Sequence, residues 1–163
     1  MPTIILPVQS AKLPSSNPVQ IDGGETNWRL LFDDTTSESG WWQFRMPTNY
    51  ASGLTAKLQL ACVSTQTEDD EKTVKFGVSV MAVTPEDAAD INTESYDTVN
   101  TGTKTLSTNQ TAKYLKELSL ALSNADSVAA GDYIKVKVAR DISDTCVGDV
   151  SLVALSLEYT ASA

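Results

Sequence analysis

The chain has 163 residues, 21 acidic against 12 basic side chains, a formal net charge of -9 and no histidine. Such an acid excess excludes a binder of nucleic-acid phosphates, which needs a Lys/Arg stripe to displace counterions, and the missing histidine removes the commonest general base and zinc ligand, and with them most hydrolase triads and zinc sites. A chain of this length buries roughly two thirds of its unfolded surface and builds one core without metals or disulfides.

From the N-terminus, Pro2, Pro7, Pro14 and Pro18 punctuate short apolar pieces such as Ile4-Ile5-Leu6 and Val19-Gln20-Ile21. Proline at that density forbids a central strand and favours extended backbone with free donors. This predicts an extended N-terminal arm over residues 1–24, ahead of a body over 25–163. The arm's apolar residues Ile4, Ile5, Leu6, Val8, Leu13 and Val19 need cover, either along the flank of the same body or on a neighbouring molecule, so they are candidate interface residues. The opening residues lack the basic region of a signal peptide, and no apolar run reaches membrane-spanning length; synthesis in the cytoplasm and no membrane contact are expected.

Trp28-Arg29-Leu30-Leu31-Phe32 alternates, with Trp28, Leu30 and Phe32 on one face, before Asp33-Asp34-Thr35-Thr36-Ser37 turns the chain. In Gly40-Trp41-Trp42-Gln43-Phe44-Arg45-Met46-Pro47 the period of two places Trp42, Phe44 and Met46 inward, and Trp41, Gln43 and Arg45 outward. Pro47 closes that strand, and 49–53 reads as a loop. Leu54, Ala56, Leu58, Leu60 and Cys62 then share a face, as do Val74, Phe76, Val78 and Val80 beyond the acidic run Glu68-Asp69-Asp70-Glu71, which reads as a solvated hairpin tip. Thr84-Pro85 followed by acids fits the start of a short helical turn over 84–91. Threonine-rich 96–106 suits a surface strand. Over 111–122, Leu118, Leu120 and Leu122 alternate, although Leu115, Leu118 and Leu122 also fit a helical stripe; a strand is expected there. Ile134, Val136 and Val138 point inward, Tyr133, Lys135 and Lys137 outward, and 150–159 forms the last strand. The expected fold is all-β, an antiparallel sandwich of about eight strands with jelly-roll topology.

No catalytic motif appears, and neither a cofactor nor enzymatic activity is expected. Paired carboxylates that hydrolyse glycosides face each other across a cleft, whereas Glu68 to Glu71 are consecutive on one loop. Asp141, Asp144 and Asp149 match no calcium-loop spacing, so a hydrated turn and no metal are expected. Cys62 and Cys146 are expected to be two buried thiols, with a disulfide as the alternative. Trp41, beside Gln43 and Arg45, has three readings: an interface, a ring covered by the chain's own loops or arm, or a platform on which a sugar stacks. Trp41 and Arg45 therefore join the candidate interface residues.

Phe32-Asp33-Asp34-Thr35-Thr36, Trp42-Gln43-Phe44-Arg45-Met46-Pro47 and Tyr50-Ala51-Ser52-Gly53-Leu54, with Asn124 to Asp132, Arg140-Asp141 and the closing Leu155-Ser156-Leu157-Glu158-Tyr159, resemble a group of small bacteriophage virion proteins. The group often carries a second tryptophan strand where this chain has Phe76. The resemblance implies a β-sandwich or jelly-roll body that works as a homotrimer in the virion, as a capsid decoration (cement) protein bound to the major capsid protein. The alternative is the head domain of a tail fibre or baseplate appendage that binds a host receptor or glycan.

Overall fold

The computed structural model describes residues 1–23, 27–67 and 71–163; Glu68, Asp69 and Asp70 of the acidic hairpin tip lie outside them. The described residues form ten strands: β1 (Thr3–Leu6), β2 (Gln20–Asp22), β3 (Arg29–Phe32), β4 (Ser39–Arg45), β5 (Tyr50–Cys62), β6 (Thr73–Val83), β7 (Asn100–Thr105), β8 (Lys116–Ala121), β9 (Tyr133–Arg140) and β10 (Val150–Ala161). They pair antiparallel in two sheets. One runs β2-β3-β10-β5-β8, with β1 also on β10; the other runs β4-β9-β6-β7.

Taking only the eight strands from β3 onward, β3-β10-β5-β8 faces β4-β9-β6-β7. Consecutive strands from β3 to β6 alternate between the sheets, and those from β7 to β10 do so in return. This is the jelly-roll order. Alternation dictates what fills the space between the sheets. Leu54, Ala56, Leu58, Leu60 and Cys62 of β5, Val74, Phe76, Val78 and Val80 of β6, Leu118 and Leu120 of β8, and Ile134, Val136 and Val138 of β9 are all buried there with Trp42 and Met46. Phe32 and Phe76 meet edge-to-face across the gap, ring centroids 5.1 Å apart at 85°, a geometry that ring quadrupoles favour.

Residues 1–22 are mostly extended, interrupted by a 3-10 turn at Val8–Ser10, and they lie along the flank of their own sandwich. β1 pairs with residues 155–158 of β10, and β3 takes the same edge at 150–152; the register shift between Leu152 and Ala154 separates the two partners. The chain then crosses to the other sheet. Lys12 exchanges backbone hydrogen bonds with Trp41 (2.7 and 3.0 Å), and Val19 N–H donates to the Ser39 carbonyl at 3.0 Å, so the segment covers the free edge of β4 that would otherwise invite strand addition. Leu6, Val8 and Val19 are buried in the shared core, and the indole N–H of Trp42 donates to the Pro7 carbonyl at 2.9 Å.

Three local expectations are corrected. Residues 84–91 form turns rather than a helix: Asp87 N–H reaches the Thr84 carbonyl at 3.2 Å, but Glu86 has φ of 74°, a left-handed conformation that stops helical propagation. Trp28 lies before β3 begins, so it escapes the inward position of Leu30 and Phe32 and is 52% exposed. Residues 50–53 belong to β5, where Tyr50 and Ser52 pair with the end of β10.

Candidate functional site

The outward face of the four-stranded sheet brings half-buried aromatic rings together with three cations, Arg45, Lys135 and Lys137, that have no ion-pair partner among the described residues. Antiparallel register sets Trp41 opposite Lys137, Gln43 opposite Lys135 and Arg45 opposite Tyr133; on the far side of β9, Lys137 faces Ser79 and Lys135 faces Met81 of β6. All of these point away from the core by the same alternation that sends Trp42, Val136 and Val80 inward. The 84–99 connection folds back over the β6 part of the face, with Asp97 N–H on the Val80 carbonyl at 2.8 Å, and it brings in Tyr96. Ser79 and Met81 are buried as a result.

The lysines sit between rings. Lys135 Nζ is 4.4 Å from the Trp41 ring centroid and 5.8 Å from that of Tyr96, and Lys137 Nζ is 4.9 Å from Tyr96. Each contact of this kind contributes ~0.5–1 kcal/mol at a wet surface. Neither ammonium is ion-paired among the described residues. Tyr133 donates its hydroxyl to Gln43 Oε1 at 3.0 Å, and exposed Arg45 is steered by Nε donating to the Gly131 carbonyl at 3.2 Å. Burial first, and then the neighbouring Tyr133, push the Tyr96 hydroxyl up to about 12, so it remains a donor at any physiological pH. The face thus offers flat rings, fixed donors and positive charge.

Other clusters are structural. Arg140 and Asp144 form a buried ion pair (2.9 Å, side chains 0% and 2% exposed), and the guanidinium also donates to the carbonyls of Phe32, Gly148 and Cys146 at 3.2, 2.8 and 3.0 Å. Asp144 is therefore not part of a hydrated turn: Arg140 continues the inward parity of Val136 and Val138, and a buried charge requires its partner. The aspartates weighed for calcium are dispersed. Asp141 pairs with Lys75 at 2.7 Å, which with Ser143 draws its carboxyl down to about 2. Asp149 instead approaches Asp33 and Asp34, with ligand oxygens within 4.8 Å of one another. That trio is already engaged in part: Asp33 accepts the amides of Thr35 and Thr36, and Asp34 that of Gly148 at 2.8 Å. Cys62 and Cys146 are free buried thiols with sulfurs 3.3 Å apart; the hydrogen bond between them and burial hold the Cys146 thiol up.

Among the sequence candidates, Trp41 and Arg45 stand together on this face, 4.4 Å separating the Trp41 ring from a lysine that periodicity had placed outward without assigning it a role. Leu6, Val8 and Val19 are buried inside the body, Ile4 packs partly against its core, and Ile5 (67%) and Leu13 (43%) remain exposed. Lys135, Lys137 and Tyr133 were legible as outward strand residues, but their meeting with Trp41 depends on the β4–β9 register, and Tyr96, expected at the start of a strand over 96–106, lies in the connection ahead of β7, which begins only at Asn100. A groove of about 420 Å³ over the other sheet, lined by Asn27, Arg29, Gln59, Ala61, Lys113 and Leu115 among others, contains no aromatic ring on which a sugar could stack.

No protein-family model matches the chain, and no curated protein matches it in sequence. Solved structures match it in fold. The CBM35 carbohydrate-binding module from Cellvibrio japonicus Abf62 superposes with a TM-score of 0.53 at 12% identity, covering 99% of each chain. The CBM36-1 domain of a multidomain xylanase from the hindgut metagenome of Trinervitermes trinervoides gives 0.50 at 8% identity over 98% of this chain and 99% of that one. The xylan-binding module CBM15 gives 0.50 at 13% identity over 99% and 98%. At these identities the likeness is one of fold: an antiparallel β-sandwich spanning essentially the whole of each chain.

Proposed function

We propose that the chain is a non-catalytic glycan-binding module whose ligand lies across the outward face of the four-stranded sheet. The observation that carries this reading is the Trp41 platform: a half-buried indole flanked by Tyr96, Tyr133, Gln43, Arg45 and two lysines. Sugars present an apolar C–H face and a rim of hydroxyls. A ring takes the first, and amide, guanidinium and ammonium groups held in fixed positions take the second. The solved modules of like fold bear names that speak of carbohydrate binding, which agrees with the reading. The resemblance to phage virion proteins makes a tail fibre or baseplate the expected bearer and a host-surface polysaccharide the expected ligand.

The observations favour this over capsid decoration. Decoration relied on an arm able to clamp a neighbour, and four of the arm's apolar side chains, Ile4, Leu6, Val8 and Val19, pack against its own body, while Met1, Ile5, Leu13 and Ile21 stay exposed. The proposal is tested by affinity electrophoresis of the whole chain through gels containing soluble polysaccharides, with Trp41→Ala alongside. Retardation of the wild type by at least one polymer, and at least a tenfold loss of affinity in the variant, about 1.4 kcal/mol, are the expected results. Trp41→Ala binding as tightly as the wild type would remove the platform from the account.

A further inference from the structure

Resting on the glycan reading, we infer that the face selects an anionic glycan, with a sugar ring on Trp41 and its acidic group beside the ammoniums of Lys135 and Lys137. The basis is where this chain puts its charge. It carries 21 acids against 12 bases, yet the outward strand positions of the four-stranded sheet hold none of those acids. By register and alternation they are Ser39, Trp41, Gln43 and Arg45 of β4; Tyr133, Lys135, Lys137 and Ala139 of β9; Thr73, Lys75, Gly77, Ser79, Met81 and Val83 of β6; and Thr101, Thr103 and Thr105 of β7.

Of the four cations in that set, Lys75 is paired with Asp141 at the sheet's end. The three that surround Trp41 are not ion-paired among the described residues: Lys135 and Lys137 lie against rings, and Arg45 uses only Nε, on a backbone carbonyl. No acid of the neighbouring connections is ion-paired to these three cations among the described residues, and several are engaged by backbone amides. Asp97 accepts from the amides of Thr98 and Asp126, Asp126 from that of Ala82, and Asp90 from that of Asn92.

A neutral sugar gains little from three uncompensated cations, whose hydration is partly lost on contact. An anionic sugar converts that loss into charge-assisted hydrogen bonds, roughly twice as strong as neutral ones. The ring contacts also hold the ammoniums in place beforehand, so less side-chain freedom is lost when the ligand arrives. A carboxylate and a sulfate ester share this chemistry. The global charge of -9 opposes unspecific adsorption of polyanions, so attraction has to come from this face.

The test measures affinity of the full chain for polygalacturonate (carboxylate), dextran sulfate (sulfate), and neutral dextran and xylan, in 0.15 M salt. Wild type is expected to bind one of the acidic polymers at least about tenfold more tightly than either neutral one. The double variant Lys135→Gln/Lys137→Gln should lose about tenfold of that affinity, while Lys57→Gln on the opposite sheet keeps it. The acidic polymer that binds identifies the group. Neutral polymers bound as tightly as acidic ones would overturn the inference and leave the glycan reading standing, whereas no binding to any polymer would remove both. Acidic-polymer binding unchanged in the double variant would overturn the assignment to these lysines.

Discussion

The outward faces of the two sheets place their cations in opposite company. On the six-stranded sheet, Arg29 is 2.6 Å from Asp22, and Lys57 is 3.7 Å from both Glu117 and Glu158. On the four-stranded sheet, Lys135 and Lys137 face Trp41 and Tyr96. Both arrangements steady a long side chain over a pleated surface. A carboxylate does so by neutralising the charge, whereas a ring leaves it available. The first face is a solubilising exterior, and the second keeps its electrostatic interaction free for something that is not part of the chain.

The largest expected effect erases the comparison. Arg140 ties β3 of one sheet to the end of β9 in the other through the Phe32 carbonyl and Asp144. Arg140→Met leaves Asp144 buried without its partner and should cost about 3–5 kcal/mol in chemical denaturation, loosening both faces together; a loss below ~1 kcal/mol would show that Asp144 reaches water without the guanidinium. Next in size is Lys135→Gln, which removes the ring contact and should cost ~0.5–1 kcal/mol.

Asp149→Asn sharpens the view of the acidic end. Burial first, and then the charges of Asp33 and Asp34, raise the Asp149 carboxyl above its ordinary 3.8. The folded state therefore holds this proton more readily than the unfolded state, and stability from this group is lost as pH rises from about 3.8 through the higher folded value. At pH 7 the variant should melt slightly higher than wild type, within ~0.5 kcal/mol, and the gain should vanish below pH 4. A variant less stable at pH 7 would mean that Asp149 makes a favourable contact that outweighs this repulsion. The smallest effect belongs to the neutralised face: Lys57→Gln should change stability by less than ~0.3 kcal/mol, and by still less in high salt.

Much of this fold is legible in alternation alone. Leu54 to Cys62, Val74 to Val80, Leu118 to Leu122 and Ile134 to Val138 each declare a core face because a pleated strand has period two. Connectivity is not, since periodicity is silent on which strands pair, and the candidate face exists only through the pairing of β4 with β9 and β6. Arg140 was foreseeable: it continues the inward parity of Ile134, Val136 and Val138, and a charge entering a core points to a partner such as Asp144, four residues on. Trp28 was not, because one residue decides whether it lies inside β3 or beyond its end. Tyr96 reaches the face from a connection fixed by long-range contacts, among them Asp126 N–H on the Asp97 carboxylate at 2.9 Å.

The most direct test of the account is a comparison of the two unequal tryptophans in one binding assay. Trp28 is 52% exposed and off the four-stranded sheet; Trp41 is more covered but forms the platform. Against the polysaccharide that retards the wild type most, Trp41→Ala should lose at least tenfold in affinity and Trp28→Ala should be indistinguishable from wild type. Loss of binding in Trp28→Ala, with Trp41→Ala unaffected, would contradict the account and move the site to the other sheet.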